Sequence, residues 1–170
     1  MTVLNRNPQN TNYLQATKFL LTFSRINNTQ YFCQEVNIPG VSLGTVDRVT
    51  PFLDMFSPGT KLNYEPLVIN FTIDEELQSW KDMYNWFTSI ADPDGFEGRD
   101  HPRELQQNRH LSDATLTILT ALNNPILRIQ YLNCFPVSMS DIQFDTKLDA
   151  DTIITCSATF RYQSYKYLTV

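Results

Sequence analysis

Residues 37–65 read NIPGVSLGTVDRVTPFLDMFSPGTKLNYE, and the way this stretch is read decides the fold. It opens on Pro39-Gly40, carries Pro51 in its middle and reaches Ser57-Pro58-Gly59 near its end. Proline fixes φ and glycine permits φ > 0, so sharp backbone turns are expected at these positions. Val41, Leu43, Val46, Val49, Phe52, Leu53, Met55 and Phe56 lie among them, an apolar content unusual for a loop. Ordinary connections run about 4–6 residues, and both flanks read as strands. Either the stretch folds as a long hairpin, or its apolar side chains are buried against another molecule. They are too many for a solvated loop and too irregularly spaced for a self-contained strand.

Upstream, residues 1–16 form a polar arm without the apolar core of an export signal. Residues 18–25 then alternate, with Phe19, Leu21 and Phe23 on one face. Asn27-Asn28 supplies a turn, and 30–36 is expected to return as the second strand of a hairpin with 18–25. Downstream of the long stretch, Leu67, Ile69, Phe71 and Ile73 alternate with Asn70 and Thr72, the pattern of a half-buried sheet.

Asp74 is placed to cap a helix, with Glu75 and Glu76 in its first turn, where the dipole favours negative charge. Leu77, Trp80, Tyr84, Phe87 and Ala91 recur at helical spacing, and Met83, Trp86 and Ile90 widen the stripe. This face is expected to be core, with Trp80, Tyr84 and Phe87 largely buried. Pro93 and Gly95 stop the helix.

Residues 92–112 are a polar surface excursion. Strands resume at 114–122 and 126–134 around an Asn123-Asn124-Pro125 turn. Phe135-Pro136 interrupts, 137–144 is a weaker strand, and 145–151 is an acidic turn. The last strand places Ile154, Cys156, Ala158, Phe160 and Tyr162 opposite Thr155, Ser157, Thr159 and Arg161. The sum is one domain over 1–170, mainly β, with about seven largely antiparallel strands and a single helix.

Composition narrows the function classes. The chain has 170 residues and a formal net charge of −5, which argues against general nucleic-acid binding through clustered Lys and Arg. No apolar run approaches the ~20 residues of a membrane span. Cys33, Cys134 and Cys156 fall in apolar strand-like runs and read as buried reduced thiols. His101 and His110 have no cysteine at a metal-ligand spacing. No nucleophile elbow, phosphate-binding loop or metalloprotease motif is present. Asp92-Pro93-Asp94-Gly95 departs from a calcium loop in its proline, its early glycine and the missing glutamate. Asp145, Asp149 and Asp151 read as a solvated turn rather than a metal site. The expectation is no enzyme, no metal and no cofactor; an enzyme would have to pair one of the three cysteines with His101 or His110.

Over nearly its whole length the chain resembles the tail tube proteins of contractile-tailed bacteriophages. The resemblance rests on the order of its parts. Residues 31–40 (YFCQEVNIPG) are a strand running into an aliphatic-Pro-Gly turn, followed by the long loop and the alternating strand from Leu67 to Ile73. An aromatic helix with an acidic start (DEELQSW, from Asp74) comes next. Phe135-Pro136, the acidic turn and a threonine-rich strand (DTIITCSATFRY, from Asp151) complete it.

The resemblance implies an antiparallel sandwich or barrel-like subunit that forms hexameric rings stacked into the inner tail tube, the conduit for DNA ejection. Its partners would be further copies of itself, the tail sheath, and baseplate or neck proteins. It would be made in the host cytoplasm and sit in the virion tail, with DNA passing through without specific binding. Tube initiators, baseplate rings and tail terminators share the fold and are the alternative; a monomeric β-sandwich ligand-binding module is a more remote one. In such tubes the long loop reaches neighbouring subunits, which assigns Val41, Leu43, Val46, Phe52, Met55 and Phe56 to inter-subunit contact. Asn70, Thr72, Thr155, Ser157 and Thr159, on the polar strand faces, are the candidate lumen-facing residues.

Overall fold

A computed structural model describes residues 12–26, 32–91, 110–147, 149 and 151–169. In chain order its elements are β1 (Phe19–Phe23), β2 (Cys33–Val36), β3 (Val41–Arg48), β4 (Met55–Tyr64), β5 (Leu67–Thr72), α1 (Gln78–Ile90), β6 (Ser112–Leu119), β7 (Pro125–Met139), β8 (Thr155–Arg161) and β9 (Ser164–Thr169). Seven strands form one antiparallel sheet in the order β1-β6-β7-β8-β5-β2, with β9 also on β7; β3 and β4 form a separate pair. The sheet stays open, with β1 and β2 as its end strands, so no barrel closes within one chain.

The 15-residue β7 belongs to both halves of the sheet. Its Leu127 to Leu132 stretch pairs with β9 and, on the other side, β6; Phe135 to Met139 pairs with β8. The chain from Thr155 to Thr169 therefore runs beside β7 as one long strand broken at Tyr162-Gln163. Asn133 marks the bend in β7, with φ 55, a conformation that asparagine tolerates better than most residues. Its backbone N–H donates to Asp113 Oδ1 (3.0 Å) and its side-chain amide to Gln163 Oε1 (2.7 Å). Phe135-Pro136 thus does not interrupt a strand; it is where pairing passes from β9 to β8.

Alternation places the core between the two halves. Leu67, Ile69 and Phe71 of β5 and Ala158 and Phe160 of β8 are fully buried, as are Ala114 of β6 and Met83 of α1. The Phe160 ring lies 5.0 Å from Phe23 of β1 and 5.7 Å from Trp86 of α1, so both halves and the helix meet there.

Several expectations change. Residues 30–36 do not form a hairpin with 18–25: β2 pairs with β5, and β1 with β6. The non-local pairing wins because Leu21 and Phe23 lie opposite Leu116 and Ala114, which puts four buried side chains on one face. The Asn27-Asn28 turn lies outside the described residues. The strand expected over 137–144 ends at Met139. Beyond the expected last strand, Ser164–Thr169 adds β9.

The helix is rotated relative to its expected stripe. Ser79, Met83, Trp86 and Ser89 face inward, Trp80 and Phe87 are half-buried, and Tyr84 is 45% exposed. The cause lies at the start. Asp74 Oδ2 accepts from the Gln78 N–H (2.9 Å), and Oδ1 from the Ser79 N–H (3.0 Å) and hydroxyl (2.7 Å). Leu77, with φ 53, turns the chain so that the helix begins at Gln78, leaving Glu75 and Glu76 ahead of it. A shift of one residue in phase is about 100° of rotation, enough to trade Tyr84 for Met83. The helix ends at Ile90; Pro93 and Gly95 lie outside the described residues, as do 1–11 of the polar arm and 92–109 of the excursion.

Candidate assembly surface

Residues 41–64 form a hairpin, not an irregular loop. β3 and β4 pair from Val41↔Tyr64 to Arg48↔Met55, with one irregularity between Leu43 and Thr45. Ser57-Pro58-Gly59 is therefore no turn but part of β4. Glycine is required there for another reason: a Cβ on Gly59 would lie 2.5 Å from the carbonyl oxygen of Gly44. The true turn is at the tip, where the Thr50 hydroxyl accepts from the Leu53 N–H (3.2 Å) and also bonds the Leu53 carbonyl.

The two alternatives posed by the sequence turn out to be compatible. The segment pairs with itself, and its apolar side chains stay uncovered. Val41, Leu43, Val46, Phe52, Met55 and Phe56 are all exposed, Phe52 at the tip almost completely (98%). Strand alternation puts Val41, Leu43, Phe56 and Leu62 on one face of the hairpin. Val46 and Met55 share the other with Ser42, Arg48, Ser57 and Asn63. An exposed apolar surface of this kind marks an interaction site more often than a solvated loop does.

Among the described residues the hairpin is tied to the body by hydrogen bonds at its root. The Asn37 side chain accepts from the Val68 N–H (2.7 Å) and donates to the Pro66 carbonyl (3.2 Å). The Tyr162 hydroxyl donates to the Glu65 carbonyl (2.8 Å).

The five polar residues singled out in the sequence come together on the face of β5 and β8 turned away from α1. Asn70 lies opposite Ser157, Thr72 opposite Thr155, and Thr159 opposite Val68. Thr155 is exposed and the other four are half-buried. The Asn70 amide donates to Glu35 on neighbouring β2 (2.6 Å). This half of the sheet has the order β2-β5-β8-β7; among the described residues its outer edges, along β2 and along Phe135 to Met139 of β7, carry no further strand. Phe135 and Val137 are exposed on that second edge.

The cysteines sit in settings that suppress nucleophilicity. Burial pushes the Cys33 thiol up to about 11 and the Cys134 thiol up to about 12, and it raises Cys156, so each remains a protonated thiol near neutral pH. Among the described residues their hydrogen bonds run to Glu35, Ala114, Tyr131, Ser140 and Ser157, and none to a histidine. His110 offers its carbonyl to the Trp86 indole N–H (2.8 Å); His101 lies outside the described residues. Among the described residues no group of three or more His, Cys, Asp and Glu could hold a metal ion, and no helix is long and apolar enough to cross a membrane.

The tail tube terminator protein of Enterobacteria phage T4 is 29% identical over 162 residues, which cover 91% of this chain and 89% of the T4 protein. Among solved structures, the tube-terminating cap of the anti-feeding prophage superposes with a TM-score of 0.70 at 13% identity, covering 100% of both chains. The sheath/tube terminator of PVC, an extracellular contractile injection system, gives 0.68 at 13% identity, covering 94% of this chain and 100% of that one. The family model of phage tail tube proteins matches residues 6–168, and the chain belongs to that family.

Proposed function

We propose that this protein is a structural, non-enzymatic subunit of a contractile phage tail, one that assembles into a hexameric ring and ends the tail tube. The observation that carries the assembly role is the β3–β4 hairpin, which holds its apolar side chains away from the core of its own chain. The position at the end of the tube is supported by the similarity to the T4 terminator over 91% of the chain. A repeating tube subunit is the second reading, favoured by the match to the tube family as a whole. The partners are further copies of the chain, the last ring of the tube, and sheath or neck proteins.

Ring closure follows from the free edges. The half-sheet β2-β5-β8-β7 contributes four strands per copy. Joining the β2 edge of one copy to the Phe135–Met139 edge of the next satisfies the backbone groups that an open edge leaves unpaired. Asn70, Thr72, Thr155, Ser157 and Thr159 then line the channel. Short hydroxyl and amide side chains give DNA phosphates no cation to hold, which suits a conduit. A net charge of −5 works in the same direction.

Electron microscopy of the purified protein, alone and added to growing tail tubes, tests this reading. A terminator gives isolated rings and stops tube growth; a repeating subunit gives filaments and is incorporated along the tube. A protein that stays monomeric in both settings overturns the assembly role and favours a ligand-binding module.

A further inference from the structure

The hairpin leaves the body at one point, and four tyrosines meet there. The ring of Tyr64, the last residue of β4, lies 5.9 Å from Tyr162 and 5.3 Å from Tyr165. These two lie 5.1 and 5.8 Å from Tyr131, which is fully buried on β7. Tyr162 lies in the break between β8 and β9, where the two halves of the sheet bend, and Tyr165 lies just beyond it in β9, their rings 6.1 Å apart. Polar ties back up the rings. The Tyr162 hydroxyl holds the Glu65 carbonyl at 2.8 Å and Arg161 Nη1 reaches the Tyr64 carbonyl at 3.4 Å, while Asn37 clamps Pro66 and Val68 beside them. Burial pushes the Tyr162 hydroxyl up to about 12, so it is a neutral donor throughout the physiological range.

Beyond Tyr64 the arm is exposed along nearly its whole length. At ~3.3 Å per residue its longer strand spans roughly 30 Å, so a 10° change at the root moves the tip by about 5 Å. A contact made at the tip therefore demands a rigid root. Tyrosine suits that role, because a large ring with only two side-chain torsions gives contact area at little entropic cost.

We propose that Tyr64, Tyr131, Tyr162 and Tyr165 form an elbow that fixes the direction of the hairpin before assembly, acting as positioning residues for its contact with a second copy of the chain. The proposal rests on reading the hairpin as the assembly arm. Through Tyr162 and Tyr165, the elbow also links the hairpin's direction to the bend that shapes the sheet.

Pulsed electron–electron distance measurement tests the elbow in the full chain. Spin labels are placed at Asp54→Cys near the tip and Asn85→Cys on α1, in a Cys33→Ser background. The expected result is a narrow distance distribution that broadens about twofold in Tyr64→Ala. Tyr64→Phe, which keeps the ring, leaves it narrow. Tyr162→Phe, which removes only the bond to Glu65, broadens it to a lesser degree and decides the matter alone if Tyr64→Ala fails to fold. Unchanged widths in folded Tyr64→Ala and Tyr162→Phe overturn the proposal. Ring formation is scored on the same samples. Broadening with undiminished assembly leaves the elbow standing and removes the hairpin from the assembly role; broadening with lost rings supports both.

Discussion

Trp80 and Trp86 lie on the same helix with different fates, one half-buried and one only 1% exposed. Trp86 packs on Phe23 and Phe160 and spends its indole N–H on the His110 carbonyl. Trp80 stacks on exposed Tyr84, 5.3 Å away and nearly parallel. Trp86→Ala is therefore expected to cost ~3–5 kcal/mol in chemical denaturation, and Tyr84→Ala less than about 1 kcal/mol. Equal losses would mean that the helix sits in another phase. Asp74 gives a second residue-level expectation. Its bonds to the Ser79 hydroxyl and to the N–H groups of Ser79 and Gln78 hold its carboxyl down at about 2, against an ordinary 3.8. A depressed folded-state value means stability that is present above about 4 and lost as the pH falls through about 2. Asp74→Ala should thus melt below the parent protein at pH 7, with the gap closing as the pH drops from about 4 towards 2. A gap that persists unchanged at pH 2 would assign the effect to something other than the charge on the cap.

At the scale of elements, legibility followed burial. β5 and β8 each have one face in the core, and a strand with one buried face must alternate, so Leu67, Ile69, Phe71 and Cys156, Ala158, Phe160 were readable directly. β3 and β4 bury neither face in this chain, so nothing imposes a period of two. Apolar residues on both faces then read as irregularity, and a ten-residue strand passed for loop. β9 was missed because Ser164–Thr169 is largely exposed and follows a strong strand after a two-residue break; its only local signal was Tyr165 and Tyr167 at a spacing of two. The pairing of β1 with β6 joins residues more than ninety apart, which no local pattern encodes. Of the assembly surface, the residues were legible but not the shape that presents them. Gly59 tests that shape. A methyl group there would collide with the Gly44 carbonyl, and backbone has little room to yield. Gly59→Ala should disrupt the β3–β4 register while the unfolding free energy of the body stays within about 0.5 kcal/mol of the parent. Amide exchange resolved by residue would show fast exchange across 41–64 and unchanged protection in β5 and β8; protection retained in the hairpin would mean that the two strands can part to admit the methyl.

For the molecule as a whole, the question is whether the sheet and the hairpin have separate duties, the sheet closing a ring and the hairpin holding that ring to its neighbours. Burying one apolar side chain is worth roughly 1.5–3 kcal/mol, so in the proposed ring Val41, Leu43, Val46, Phe52, Met55 and Phe56 would supply ample association energy after the cost of ordering. Because the described contacts between hairpin and body lie at its root, replacing residues 42–61 with a short Gly-Ser linker should leave the far-ultraviolet circular dichroism of the remaining strands and their cooperative melting in place. It should abolish attachment to tubes, read as loss of co-sedimentation with them. Ring closure is probed separately through the sheet edges. Gln34→Cys on β2 and Val137→Cys on β7, with Cys33→Ser and the buried Cys134 and Cys156 left in place, should give a ladder of covalent oligomers with a short bis-maleimide, ending at the closed ring. If the linker variant still forms that ladder, the sheet closes the ring unaided and the hairpin serves the next ring. If the ladder vanishes together with tube attachment, the hairpin also clasps the neighbour within its own ring. Intact rings by microscopy with no cross-linked ladder would place the ring contact on edges other than β2 and β7.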